Sequence, residues 1–247
     1  MRRAGERCAD SIHGETRRST NPRLRRGRNV VALLSGAQRS TWRSAACIAY
    51  DAQGDGVTFV SEPLDRETEI TGPLAAKLFV SSSTADADIF LVFRVFTPDM
   101  REVVFTGAID PHTPIAQGWL RASHRKLDPE LSTEYRPYHA HDESQPLVPG
   151  EVVLLDIELW PTSIVVPSGH RLALTVRGRD YEWGKSTGAR LSNFKNELRG
   201  CGPFLHDDPR DRPAAVFGGR TTLHTGPSQQ SYVLVPVIPV RPEPVEG

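Results

Sequence analysis

From about Tyr50 onward the chain is built of short apolar segments of period two, separated by clusters of Gly, Pro, Asp and Ser, and this punctuation restricts the fold more than any other feature. Period two sends successive side chains to opposite faces of an extended backbone, so each segment offers one face to a core and one to water. In Leu74 to Val80, residues Leu74, Ala76, Leu78 and Val80 share a face and Lys77 takes the other. In Val153 to Leu159 the inward set is Val153, Leu155, Ile157 and Leu159, with Asp156 and Glu158 outward; Leu172, Leu174 and Val176 repeat the pattern against Arg171 and Arg177. Further strands are expected over Val57 to Val60, Ile89 to Phe96, Glu102 to Ala108, Ala116 to His124, Val216 to His224 and Tyr232 to Val237. A helical turn is expected only around Leu191 to Leu198. Trp160-Pro161 and Val166-Pro167 read as strand ends, because proline has no N–H to give a ladder. About ten short strands without alternating βα units predict an all-β sandwich or barrel and argue against a doubly wound nucleotide or hydrolase sheet.

The first fifty residues read differently. They carry eleven Arg against Glu6, Asp10 and Glu15, net +8, so the formal zero of the whole chain hides a net −8 over the rest. The expected division is an Arg-rich leader over 1–49, disordered or irregular, a sandwich over 50–240 and a tail over 241–247. A secretory signal needs about 7–15 apolar residues, whereas Val30 to Leu34 supplies five. Arg25-Arg26 is followed by Gly27-Arg28-Asn29 rather than an apolar core, and no run approaches the roughly 20 residues of a membrane helix. Cys8, Cys47 and Cys201 are odd in number and far apart, which fits neither a disulfide framework nor a metal knuckle. The expectation is a cytoplasmic protein with buried or idle thiols, and without nucleic acid, membrane or cofactor as partner.

Several local patterns imitate known chemistry. Gly184-Lys185-Ser186-Thr187-Gly188 satisfies G-x-S-x-G, and Asp207, Asp208 and His224 follow in the order of an α/β-hydrolase triad. A nucleophile elbow works because a strand of a parallel sheet delivers Ser onto a strained turn before a helix. Here the preceding strand ends near Gly178 and no parallel sheet is visible, so a polar loop is the expected state of Ser186. The same loop nearly matches a P-loop, but five residues separate Gly178 from Gly184 where the motif has four. His139-x-His141, followed by Asp142 and Glu143, can supply metal ligands. Two further ligands cannot be assigned, and Pro137 and Pro146 bracket the segment, so solvated loop histidines and no metal are expected. Asp86 and Asp88 have oxygen atoms for calcium, but an acidic strand start in a turn is the more common explanation and the expected one.

Trp119, Arg121, His124, Tyr135, Arg136 and Tyr138 form an aromatic and basic cluster in sequence. Such residues either line a pocket or interface or pack across strands with their tips in water, and the pattern leaves both open. Trp119, Arg121, His124, Tyr135, Tyr138, His139 and His141 are the candidate binding residues. No catalytic residue is assigned.

Longer stretches carry a resemblance. FVSEPLD (Phe59 to Asp65), TEITGPLAAKLFV (Thr68 to Val80), ADADIF (Ala85 to Phe90), GWLRASHRKLD (Gly118 to Asp128), YRPYHAH (Tyr135 to His141), PLVPGEVVLLD (Pro146 to Asp156), WPTS (Trp160 to Ser163), VPSGHRLAL (Val166 to Leu174) and CGPFLHDD (Cys201 to Asp208) are similar to the carboxy-terminal domain of cocaine esterases and X-Pro dipeptidyl-peptidases. The resemblance runs from about Tyr50 to Pro239. It implies a jelly-roll β-sandwich of the galactose-binding-domain-like kind. In that family the Ser-His-Asp triad sits on an amino-terminal α/β-hydrolase domain, with a helical cap, and the sandwich packs beside them. Only about 50 residues precede the sandwich here, so no family catalytic residue carries over. The resemblance implies a non-catalytic accessory domain, stand-alone or truncated, that shapes a substrate pocket or oligomer contacts. Its partner would be an α/β-hydrolase domain or a second copy. The alternative is an independent ligand- or carbohydrate-binding jelly roll.

Overall fold

The computed structural model describes residues 47–107, 110–184, 198–200, 205–226 and 228–239, together with three short strands earlier in the chain. The strands in chain order are β1 (Ala9–Asp10), β2 (Thr16–Arg18), β3 (Val30–Leu33), β4 (Cys47–Asp51), β5 (Val57–Val60), β6 (Thr68–Ser82), β7 (Asp88–Phe96), β8 (Glu102–Val103), β9 (Ala116–Arg121), β10 (Val153–Val166), β11 (Arg171–Arg177), β12 (Arg220–His224) and β13 (Tyr232–Val235). Helix is limited, among the described residues, to a 3-10 turn at Ala122–His124 and the single turn α1 at Ala214–Phe217. No helix among them is long and apolar enough to cross a membrane.

Two sheets result, as the alternation requires. In the first, β6 is the spine: β10 runs antiparallel along one edge, while β13 and then β12 share the other, with β4 beyond β12. In the second, β7 is the spine, flanked by β11 on one edge and by β9 and β8 on the other, with β5 beyond β11. The inner faces meet in one core. Leu74, Ala76, Leu78 and Val80 of β6 and Leu155, Ile157 and Leu159 of β10 are fully buried in it, with Ile89, Leu91, Phe93 and Val95 of β7 in the same cluster. Burying a side chain of that size contributes about 1.5–3 kcal/mol. Lys77 and Asp156, directly opposed on β6 and β10, form an ion pair on the other face.

The ends of elements differ from the sequence reading for identifiable reasons. β10 does not stop at Trp160-Pro161; it continues to Val166, with a register shift between Leu159 and Thr162. Pro161 on β10 and Pro73 on β6 both fall within that irregularity, where no ladder N–H is needed. Pro167 does follow the end of its strand. The segment expected as a strand from Val216 instead completes α1, turns at Gly218-Gly219 with Gly219 at φ +95°, and becomes β12 at Arg220. β9 ends at Arg121 rather than His124, and β8 is only two residues long. β4 begins at Cys47 with Ile48 fully buried, three residues ahead of the boundary expected at Tyr50. Cys47 is buried, but it is disulfide-bonded rather than the buried or idle thiol expected, and its partner lies outside the described residues. The turn expected over Leu191 to Leu198, apart from Leu198, the loop with Ser186, the tail at 241–247 and most of the leader also lie outside them.

Gly118 closes one side of the sandwich. A Cβ at that position would lie 2.0 Å from the carbonyl oxygen of Glu158, so β9 of one sheet meets β10 of the other backbone to backbone. The approach brings Trp119 on β9 to Trp160 on β10, ring centroids 5.4 Å apart.

Candidate functional site

β7 has almost no polar side to spare. All of Asp88–Phe96 is buried except Arg94, which is half-buried. Both faces of this strand are therefore covered, and any charge on its outer face must find partners away from water. Asp88 finds two arginines. The ladder register puts Arg121 of β9 opposite it, and Arg121 donates from Nε at 2.9 Å and from Nη2 at 3.1 Å. Arg212, which follows the segment crossing that face, donates from Nε at 2.8 Å to Oδ2, the oxygen that also accepts Arg121 Nη2. Arg212 also reaches the carbonyl of Gly178 at 2.7 Å and lies over the Phe90 ring at 5.2 Å. Arg121 extends the network to Asp211 at 2.9 Å and stacks on Phe217 of α1 at 4.4 Å. The hydrogen bonds to Asp88 push the Arg121 guanidinium above its ordinary range.

A histidine and two tryptophans sit on this platform. Asp180 accepts from the backbone N–H of His206 at 2.6 Å and pairs with His206 Nδ1 at 2.9 Å. The hydrogen bond to Asp180 raises the His206 pKa against the opposing effect of burial. Burial pushes the Asp180 carboxyl up, but the ring and N–H of His206 outweigh it and leave it below the usual carboxylate range. The Trp119 ring packs 5.3 Å from His206 and edge-on against Trp160. Both indoles remain open to solvent, at 44% and 55% exposure. Beside Trp160 lies a cleft of about 340 Å³, with Ile115, Gln117, Thr162 and Ser163 in its wall.

Among the described residues this geometry does not assemble a hydrolytic triad. Asp180 and His206 reproduce the carboxylate–imidazole half of one, yet among the described residues no Ser, Thr or Cys hydroxyl or thiol bonds to that imidazole. Ser81 Oγ lies 2.9 Å from His224 Nε2, but the two stand on neighbouring extended strands with Ser81 7% exposed. A strand interior has no turn or helix terminus at which to gather oxyanion donors.

The candidate binding residues fall into three places. Trp119 and Arg121 belong to the platform on β7 and β9. His124, His139 and His141 gather at the far end of β9: His124 and His141 face one another with their Nδ1 atoms 3.1 Å apart, and the His139 ring is 6.0 Å from that of His141. Burial is the main cause that lowers the pKa of His139. Tyr135 and Tyr138 stand exposed on the intervening loop, at 46% and 45%. Asp86 accepts the backbone N–H groups of Ala87 and Ser123, both at 2.9 Å, and so fixes the turn before β7. Among the described residues, no three His, Cys, Asp or Glu side chains are placed to enclose a metal ion.

Sequence reading missed Asp180, His206, Asp211 and Arg212 as partners, and gave Asp88 only a turn role. The available signal was Asp88 and Arg94 in a strand otherwise apolar on both faces, which implies a covered outer face with buried charges to match.

Comparison with known proteins identifies the family. The family model described as the X-Pro dipeptidyl-peptidase C-terminal non-catalytic domain matches residues 15–234. A protein named as a serine esterase from Mycobacterium bovis is 33% identical over 166 residues, which is 61% of this chain and 24% of that protein. The cocaine esterase of a Rhodococcus species is 24% identical over 189 residues, covering 74% of this chain and 26% of the esterase. The crystal structure of a CocE/NonD family hydrolase from Staphylococcus aureus superposes with a TM-score of 0.66 at 28% identity, over 78% of this chain and 32% of the hydrolase. The chain thus spans a quarter to a third of the length of these relatives. With the family model matched over most of its length and its sandwich superposing on a solved member, the chain belongs to the X-Pro dipeptidyl-peptidase C-terminal non-catalytic domain family.

Proposed function

We propose that this domain serves an α/β-hydrolase domain, on the same or another polypeptide, as a docking and pocket-wall element that performs no bond cleavage itself. The observation that carries the reading is the exposed Trp119–Trp160 ridge seated on a buried ion-pair network. Two solvent-facing indoles on a rigid base are the kind of surface that protein interfaces desolvate, and tryptophan is over-represented where binding energy concentrates. Arg121, beneath Trp119, holds that surface in place through Asp88. The nearby cleft then becomes part of a composite wall once a hydrolase domain covers the ridge.

The test uses the portion of the mycobacterial serine esterase that this chain does not match, expressed without its own sandwich. The expected result is a one-to-one complex on size exclusion that Trp160→Ala and Trp119→Ala each weaken at least about tenfold, as hot-spot truncation does. Turnover of p-nitrophenyl butyrate by the chain alone, abolished in Ser186→Ala, would overturn the non-catalytic reading. Self-association through the ridge appears instead as a concentration-dependent dimer on sedimentation, lost in Trp160→Ala. The expected cytoplasmic location meets one contrary observation, the disulfide at Cys47.

A second reading, a saccharide site on the same ridge, is favoured by the cleft itself, where an indole face adjoins Gln117, Thr162 and Ser163. Sugars bind through aromatic faces and polar side chains of this kind. A glycan array with saturable, Trp160-dependent binding of one saccharide class supports it, and an empty array removes it.

A further inference from the structure

We propose that His124 and His141 form a two-imidazole clamp for a divalent transition ion of the zinc or copper type. Their Nδ1 atoms face one another at 3.1 Å. With metal–nitrogen bonds of about 2.05 Å, that separation corresponds to an angle of about 98° at a shared ion, between square-planar and tetrahedral coordination. Two imidazoles arranged this way satisfy each other only when one carries its proton on Nδ1 and the other does not. An ion between them takes both lone pairs at once.

The arrangement is held from both sides. His124 ends the 3-10 turn whose Ser123 N–H is fixed by Asp86. His141 lies in a loop tied back by the Ala140 N–H to the Lys126 carbonyl at 3.0 Å and by the Lys126–Asp142 ion pair at 2.9 Å. His141 also adopts φ +52°, a left-handed conformation uncommon for a residue with a Cβ. Local backbone strain of this kind clusters at ligand-holding positions. Asp142 and Glu143 both pair with Lys126, and with Arg125 following His124 the charges beside the clamp balance, so no net positive charge opposes a cation. No third His, Cys, Asp or Glu side chain converges on the point among the described residues, so the ion's other positions belong to water. A clamp of two neutral imidazoles takes zinc, nickel and copper(II) ions before magnesium or calcium ions, which prefer oxygen.

The test is calorimetric titration of the EDTA-treated full chain with ZnCl₂ at pH 7.5, with melting temperature as a parallel readout. The expected result is saturable one-to-one binding with a Kd at or below about 10 µM and a melting temperature that rises with zinc. His141→Ala and His124→Gln each weaken it at least about tenfold, whereas His170→Ala, away from the clamp, leaves it unchanged. His141 is exposed, so His141→Ala keeps the metal-free circular dichroism spectrum and melting point of the parent and decides the matter even if His124→Gln fails to fold. The absence of saturable binding below about 1 mM, or binding that survives His141→Ala, overturns the proposal.

Discussion

Arg212 donates from Nε to Asp88 at 2.8 Å while the two side chains are only 6% and 9% exposed, so the pair lies inside the protein although each residue is charged. Removing one partner of such a pair leaves an uncompensated buried charge, at a cost of about 3–5 kcal/mol. Arg212→Met should therefore lower the unfolding free energy by about that amount in urea titration, with Arg121 retaining part of the charge balance at Asp88. Asp88→Leu strips the counterion from two guanidiniums and should cost at least as much. The double variant Asp88→Leu/Arg212→Met should lose less than the sum of the singles, because neither residue then strands the other. Single variants within about 1 kcal/mol of the parent would show that water reaches the pair.

The Trp119–Trp160 ridge depends on how closely β9 approaches β10 at Gly118. A methyl group there meets the Glu158 carbonyl at 2.0 Å and the Leu159 Cα at 3.0 Å, and backbone cannot swing aside as a flexible side chain would. Gly118→Ala should cost about 3 kcal/mol or more and should red-shift tryptophan emission as the two indoles part. Gly184→Ala, where an added Cβ meets nothing within 4 Å among the described residues, is the control and should stay within about 0.5 kcal/mol. Equal melting points for the two variants would mean that the sheets can separate at Gly118 without cost.

What could be read in advance was whatever repeats along the chain. The alternation at Leu74 to Val80 and Val153 to Leu159 marks the inward faces because burial selects every second residue locally. The site is different in kind. Asp88 meets Arg121 and Arg212 across 33 and 124 residues of sequence, and Asp180 meets His206 across 26, so no window of sequence contains both halves of these pairs. Trp119 and Arg121 were visible as unusual residues on one strand, but what they touch was not. The prolines misled for a related reason: Pro161 reads locally as a strand end, and only its position in an irregular stretch of the β6–β10 ladder makes it compatible with a strand that continues.

His206 and Asp180 couple the platform to pH. His206 has its folded pKa raised above the ordinary 6.5, so its contribution is fully present below 6.5 and is lost as pH rises through the folded value. Asp180 has its folded pKa lowered from 3.8, so its contribution is present above 3.8 and is lost as pH falls through the folded value. The pair is strongest between those limits. The melting-temperature difference between the parent and His206→Gln should therefore be largest near pH 5–6 and should shrink by pH 9. His206 is 42% exposed in its side chain, so solvent screening keeps the effect to about 1 kcal/mol or less. A difference that is flat, or that grows toward pH 9, contradicts the assignment.

Cys47 opens β4, is 2% exposed and is disulfide-bonded, so one cross-link ties the start of the first sheet to another part of the chain. The chain has three cysteines, and one disulfide leaves one thiol. Thiol titration in guanidinium should then count one reactive group per chain before reduction and three after it. Reduction should lower the unfolding free energy by about 2–4 kcal/mol, the usual effect of releasing such a constraint on the unfolded chain. Protein prepared from a reducing cytosol and counted without oxidation separates two cases. One thiol means that the bond forms and persists there, as it does for structural disulfides of very low potential, whereas three means that it needs an oxidising compartment. Three thiols that persist after exposure to air and oxidised glutathione would remove the cross-link from the folded state altogether.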